Sequence, residues 1–428
     1  MLGEEVRGAR VLLLQGPNGP FFRRLFDELV LAGASVTKVN LNAAEELYFL
    51  GRPSRSFRGA LEDFPAYLEA LDSEERFDLC FLFGDCRPYH LAARPVLDER
   101  GIETFVFEDG YLRPDFVTIE RGGVNGRSAI RGAPPDLEAV DTSEPPWVKV
   151  RQAFEWSVLH TIINSLGVTC GAWRFPQYRH HRDVQTARQA LLWGRSGVRR
   201  VVYGFREGHL LAKVRGPLHR RYFLAGLQVH NDSQVKCSRF GDVRDFIEEV
   251  VSSFARFADT GDTLVFKHHP ADRAYRDYGA LVSELARSFG LGERLIYVHD
   301  VHLPTLLRHA KGTIVINSTV GWSSLHHGTP VLALGDSVYG FMGLAASGPL
   351  DEFWQSPPAV DATRVAAAER WLRRNNQANG SVWVPIPNRG PTGLGWPPEL
   401  RLSGRRRVSV EKGVGLRDVQ EEPPHVPS

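Results

Sequence analysis

Short apolar runs alternate with helical stripes along the first third of the chain. VLLL (11–14) has the length of a buried strand. After the turn GPNGP (16–20), Phe22, Leu25, Phe26, Leu29 and Val30 recur at helical spacing, and Gly33 closes that helix. SVTKVN (35–40), DLCFLF (78–83) and TFVF (104–107) read as further strands, with helices over 64–71 and 90–100 between strands. Such alternation predicts a parallel sheet with helices on both faces. A second series opens at VVYG (201–204) and YFLAGLQV (222–229), then a long apolar stripe runs from Val243 to Phe257. TLVFK (263–267), RLIYV (294–298), GTIVI (312–316) and PVLAL (330–334) follow as strands.

The pattern predicts an α/β protein of two Rossmann-like domains facing one another across a cleft, over 1–180 and 181–386. The proline- and charge-rich stretch 131–147 reads as a loop leaving the first domain, and 174–200 as a basic, helical region. From about Pro385 proline, glycine and arginine replace any periodicity, so 387–428 is expected to be a tail, disordered from Ser403 onwards. The apolar segment Phe154–Trp173 contains Glu155, His160 and Asn164. It is expected to be a buried interdomain helix rather than one lying at a membrane surface.

Composition narrows the class. A hydrophobic fraction of 43% with 24% charged residues is that of a soluble globular protein. A net charge of +2 speaks against nucleic acid as a main partner. Cys80, Cys86, Cys170 and Cys237 lack metal-type spacing and are expected to be reduced, in a cytosolic protein without a signal peptide or membrane span.

The candidate chemistry gathers where strands end, which is where open α/β sheets bind ligands. EDGYLRPD (108–115) sets Glu108 and Asp109 directly after a buried strand. Alternation would send the two side chains to opposite sides, so that one faces a reacting centre. Arg113 can pair with a substrate carboxylate through its planar fork; a salt-bridged loop would look similar. GDCRPYH (84–90) brings Asp85, Arg87 and His90 together, as a structural pair or a substrate contact. QVHNDSQ (228–234) offers Gln228, His230, Asn231, Asp232 and Gln234, for loop chemistry or a ligand, and KHHP (267–270) offers Lys267, His268 and His269, better suited to a phosphate than to a metal ion. In NSTVGW (317–322), Ser318, Thr319 and Gly321 open a helix, a place for capping and for a phosphate alike. GPNGP lacks the dinucleotide-binding glycine pattern, and its prolines remove amide donors; it remains a candidate cleft wall, with Gln15 and Gly16. No metal site and no cofactor are expected.

In this order, QGPNGPFF (15–22), FGDCRPYH (83–90), FEDGYLRPDFVTIERGGVN (107–125), LQVHNDSQ (227–234), FKHHP (266–270), INSTVGWSSLHHGTPVLALGDSVYG (316–340) and LDEFW (350–354) resemble the capsular polysaccharide biosynthesis family of bacterial β-Kdo glycosyltransferases, in its KpsS-type, linker-initiating branch. The resemblance covers about residues 10–385. It implies a GT-B fold, CMP-Kdo as donor, lysophosphatidylglycerol as acceptor at the cytoplasmic face of the inner membrane, and a cytosolic protein peripherally attached to that membrane. It further implies retention of configuration, with Asp109 as nucleophile, or Glu108 in its place. His230, Asp85 or Glu108 would be the base for the acceptor hydroxyl, and Lys267, His269, Ser318 and Thr319 would hold the CMP phosphate and Kdo. The implied partners are a KpsC-type polymerising Kdo transferase and the capsule export machinery. A sugar-nucleotide epimerase or hydrolase of the same fold, and a non-catalytic export adaptor, are the alternatives.

Overall fold

A computed structural model of the chain describes residues 4–180, 186–232, 235 and 237–402. The first unit is built on β1 (Arg10–Leu13), β2 (Ser35–Asn40), β3 (Arg55–Ser56), β4 (Leu79–Phe83), β5 (Glu103–Asp109) and β6 (Phe116–Arg121). The second is built on β7 (Tyr222–Gly226), β8 (Thr263–Lys267), β9 (Leu295–Val298), β10 (Gly312–Val315) and β11 (Val331–Ala333). A last strand, β12 (Gln377–Asn379), returns to the first unit. Spatial orders are β12-β6-β5-β4-β1-β2-β3 and β11-β10-β7-β8-β9. Within each sheet the order reverses once, between β1 and β4 and between β7 and β10, which leaves a crevice beyond the strand ends at those points. The two expected Rossmann-like layers are therefore present.

The apolar spacing explains the packing. Helix Phe21–Leu31 turns Phe21, Phe22, Leu25, Phe26 and Leu29 inward, and Phe21 meets the edge of Phe107 with ring centroids 5.2 Å apart. Helix Val243–Phe257 buries Val243, Phe246, Ile247, Val250, Val251 and Phe254. In the second unit the indole of Trp354 is fully buried and donates to Ser253 Oγ at 2.7 Å.

Four expectations need correction. Val201–Gly204 is not a strand; it lies within the helix Thr186–Arg215, whose run of small and β-branched residues imitates a strand locally. The first sheet is not wholly parallel, since β6 runs antiparallel to β5 and β12 antiparallel to β6. Residues 387–402 are not a free tail. Leu394 and Leu402 enter the first unit's core beside Ala378 and Val382, and the buried carboxylate of Glu28 accepts from the Thr392 N–H at 3.0 Å and Trp396 Nε1 at 2.9 Å. The tail from Ser403 lies outside the described residues. Helix Ala153–Cys170, lastly, is not a buried interdomain helix: its buried residues are His160, Asn164 and Ser165, while most of its large apolar side chains are exposed.

Candidate active site

A cavity of about 400 Å³ lies between the two units. The first unit lines it with Asn18 after β1, with Phe83, Gly84 and Arg87 after β4, and with Glu108, Asp109 and Arg113 at β5. The second unit faces these with Gln228 after β7, His269 after β8, and Asn317, Ser318 and Thr319 after β10. Every one of these segments is a strand exit, so the sheet topology alone brings them together.

Glu108 and Asp109 end β5, and both line the cavity, against the expectation that alternation would remove one. The Glu108 side chain folds back so that its Oε1 accepts from the Asp109 N–H at 3.0 Å. Burial, and after it the neighbouring Asp109 charge, push the Glu108 carboxyl up to about 7. Asp109 is half-exposed and pairs with Arg113 Nη2 at 3.4 Å. Arg113 Nε in turn donates to the Gly110 carbonyl at 3.2 Å. Gly110 is required where it stands: a Cβ there would lie 2.1 Å from the Phe116 carbonyl oxygen. Arg87 rests over the Phe83 ring at 5.2 Å and donates from Nη1 to the Gly16 carbonyl at 2.8 Å, which fixes a guanidinium in the cavity wall.

On the opposite wall, Gln228 and Asn317 hold β7 and β10 together. Gln228 Nε2 donates to Asn317 Oδ1 at 3.0 Å, and the Asn317 N–H donates to Gln228 Oε1 at 3.4 Å. Ser318 Oγ accepts from the Val320 N–H at 3.2 Å, and His269 Nδ1 accepts from the Ala271 N–H at 3.2 Å. These contacts orient hydroxyl and imidazole groups across the cavity from the carboxylates.

Other candidates sit elsewhere; the described lining of the cavity does not include them. Asp85 is buried, accepts from the Val124 N–H at 3.3 Å and pairs with Arg127 Nη1 at 3.7 Å, a brace between loops. His90 is buried, with Nδ1 2.5 Å from the Gly84 carbonyl oxygen, and burial lowers its pKa to about 3. Lys267 spends its ammonium on the carbonyls of His268 and His299, and burial lowers its pKa to about 8. His268 is buried against Tyr297 OH at 2.6 Å, and burial lowers its pKa to about 4. His230 Nδ1 is engaged by the buried Asp272, whose other oxygen accepts the His230 N–H at 2.8 Å. Val229 and Asp232, not His230 or Asn231, reach the cavity from that loop. Gly321 admits the Tyr339 ring, which a Cβ would meet at 2.3 Å. Gln15 donates to Tyr178 OH at 2.8 Å and, with Gly16, borders a smaller pocket beside Lys38 and Glu45.

Sequence reasoning passed over Asn18, Asn125, Ser157, Thr161, Asn317 and Trp383, all in the cavity wall. Asn18 and Asn317 lie inside motifs already singled out, so polar type at a strand exit was a usable signal. Ser157, Thr161 and Trp383 come from distant segments and carried none.

Two Rossmann-like layers with polar strand exits facing a shared cavity define a GT-B-type α/β protein. Residues 78–383 match the family of capsule polysaccharide biosynthesis proteins, and the chain belongs to that family. It is 38% identical over 377 residues to the capsule polysaccharide export protein KpsS of Escherichia coli, covering 87% of this chain and 96% of that protein. It is 33% identical over 393 residues to the capsule polysaccharide modification protein LipB of Neisseria meningitidis serogroup A, covering 89% and 93%. Among solved structures, the KpsC β-Kdo 2,7 transferase of Thermosulfurimonas dismutans is similar at 12% identity and a TM-score of 0.39, covering 84% of this chain and 89% of that one. Among the described residues no helix is long and apolar enough to cross a membrane.

Proposed function

We propose that this protein is a retaining glycosyltransferase that moves Kdo from CMP-Kdo to lysophosphatidylglycerol at the cytoplasmic face of the inner membrane, starting the lipid linker of a capsular polysaccharide. One observation supports this above the others: two adjacent carboxylates on one wall of the cavity face imidazole, hydroxyl and amide groups on the other. Donor and acceptor identity rest on the motif resemblance, and membership of the capsule family agrees with it.

In this reading His269, Ser318 and Thr319 hold the CMP phosphate, and Arg87 and Arg113 face the Kdo carboxylate. Asp109 attacks the anomeric carbon of Kdo as the bond to the CMP phosphate breaks, giving a glycosyl ester and free CMP. The acceptor hydroxyl then attacks the same carbon and releases Asp109, while Glu108 takes the hydroxyl proton. Two inversions leave the configuration as it began. Glu108 suits the second step because its carboxyl, raised to about 7, exchanges a proton near neutral pH. Its proximity to Asp109 matches the usual division of labour between paired carboxylates in different environments. A KpsC-type polymerising transferase is the partner that would take the product onward.

The test is to incubate purified protein with a fluorescent lysophosphatidylglycerol and CMP-Kdo generated in situ, and to read the product by mass spectrometry. Addition of a single Kdo, lost in Asp109→Ala, is expected. Release of CMP without a lipid product would point to a hydrolase. Neither outcome from folded protein would point to an export adaptor.

A further inference from the structure

The helix Ala153–Cys170 carries its polarity inside out. Its buried side chains are His160, Asn164 and Ser165, whereas Phe154, Trp156, Leu159 and Leu166 face outward. Phe154 is 74% exposed, and Trp173, on the turn that follows, is 79% exposed. A water-facing helix of a soluble protein has the opposite arrangement, and a run of exposed aromatic and aliphatic side chains of this extent marks a surface made for a partner. The helix Thr186–Arg215 touches this one and exposes Val198, Val201 and Phe205, the last 86% exposed.

Charge indicates what the partner is. Between Trp147 and His180 stand Lys149, Arg151, Arg174 and Arg179 against Glu155, with Arg174 and Arg179 paired to Glu46 and Glu62 of the first unit at 2.8 and 2.9 Å. Between Arg195 and Arg221 there are eight Lys and Arg residues against Glu207 alone. Even that carboxylate is turned inward, where it accepts from the His299 and Asp300 amides at 2.9 and 2.8 Å. A second copy of this chain would set one basic surface against another across a twofold contact, which like charges oppose. An anionic bilayer offers apolar depth and negative headgroups together.

Position links this face to the cleft. Ser157 and Thr161 of the same helix line the cavity that holds Glu108 and Asp109, so the helix separates the exposed apolar face from the reacting groups. We propose that Ala153–Cys170 and the turn at Trp173 lie in the interfacial zone of an anionic membrane. Arg195, Arg200 and Arg206 sit at headgroup level, and a lipid acceptor enters the cavity past Ser157 and Thr161. Only the acceptor's entry rests on the transferase reading; the docking stands without it.

The test uses the full chain with vesicles of phosphatidylcholine, with and without phosphatidylglycerol. Co-sedimentation with the phosphatidylglycerol vesicles alone is expected, weakened by salt, with tryptophan emission quenched by brominated acyl chains. The exposed double variant Phe154→Ser/Trp173→Ser should keep its circular dichroism and lose about tenfold in vesicle affinity. Arg200→Glu/Arg206→Glu should lose the salt-sensitive part. Absence of binding, binding without quenching, or binding unchanged in these variants would overturn the proposal. So would a concentration-dependent dimer that the same variants abolish. Vesicle docking without Kdo transfer would sink the transferase reading while leaving the docking surface intact.

Discussion

Glu108 and Asp109 are neighbours in sequence with different surroundings, and the difference is testable. If Glu108 must be ionised to accept a proton, kcat/KM should climb as pH rises through about 7. Glu108→Gln should lower it by about two orders of magnitude and flatten that limb. The same shift acts on stability. Burial also raises the Glu120 carboxyl, to about 7, where it accepts from Ser128 Oγ and from Asn376 Nδ2 at 3.0 Å. Both groups bind a proton more tightly in the folded chain than in the unfolded one, so stability declines as pH rises from about 4.5 to about 7. Urea unfolding on either side of that window should show the decline, and Glu108→Gln/Glu120→Gln should reduce it. Asp85 belongs to a different category. Asp85→Ala leaves the buried Val124 N–H without its acceptor and half-exposed Arg127 without its carboxylate, and should cost about 1–3 kcal/mol in urea unfolding, with turnover per folded molecule retained. At this scale the sequence showed which types of residue gather at strand exits, but not which way each turns. Arg87 and His90 share one motif, yet one enters the cavity and the other the core. A single added residue along a strand exit reverses the direction of a side chain, and periodicity cannot resolve that.

The elements were more legible than the residues, because nine of the twelve described strands carry apolar runs and were read from them. β6 was passed over although Phe116, Val117 and Ile119 are buried, and β3 and β12 escaped because they have no such run. Arg55–Ser56 and Gln377–Asn379 lack an apolar run and are strands only because a neighbour pairs with them. β12 is polar for a purpose. Gln377 Oε1 accepts from the Tyr111 N–H at 2.9 Å, and its Nε2 donates to Thr118 Oγ1 at 2.9 Å, so a distant segment clamps the loop that follows Asp109. Gln377→Ala should cost about 1–3 kcal/mol and speed hydrogen exchange at the Tyr111 amide. Helix Val320–His326 is held by a different constraint. Gly321→Val would drive a methyl-bearing side chain into Tyr339, lowering the thermal midpoint by the equivalent of about 1–3 kcal/mol. The loss should appear in calorimetry with no change at the carboxylate wall.

At the scale of the whole molecule, the two units share more than a ligand cavity: Tyr111, Ile130 and Leu137 of the first are buried in one apolar cluster with Trp322, Leu325 and Tyr339 of the second. That shared cluster should make the units unfold in one transition, which CMP bound at His269, Ser318 and Thr319 would raise as a whole. CMP-Kdo, engaging both walls, should raise the same transition, by about 2.7 kcal/mol at a hundredfold excess over Kd. Differential scanning calorimetry with CMP and with CMP-Kdo checks for the single transition and its shift. The bipartite layout was readable from two series of strands, whereas the closure of the first sheet by β12, the last strand among the described residues, was not, since no local pattern announces a partner so far away. That closure governs the order of events during synthesis. β6 leaves the ribosome with its outer edge bare, and its mate is made only after the entire second unit has emerged. Throughout that interval the nascent chain carries an adhesive edge. A stall between Tyr222 and Ala333 would therefore be a hazard for aggregation, and a chaperone acting on this protein would find its work there.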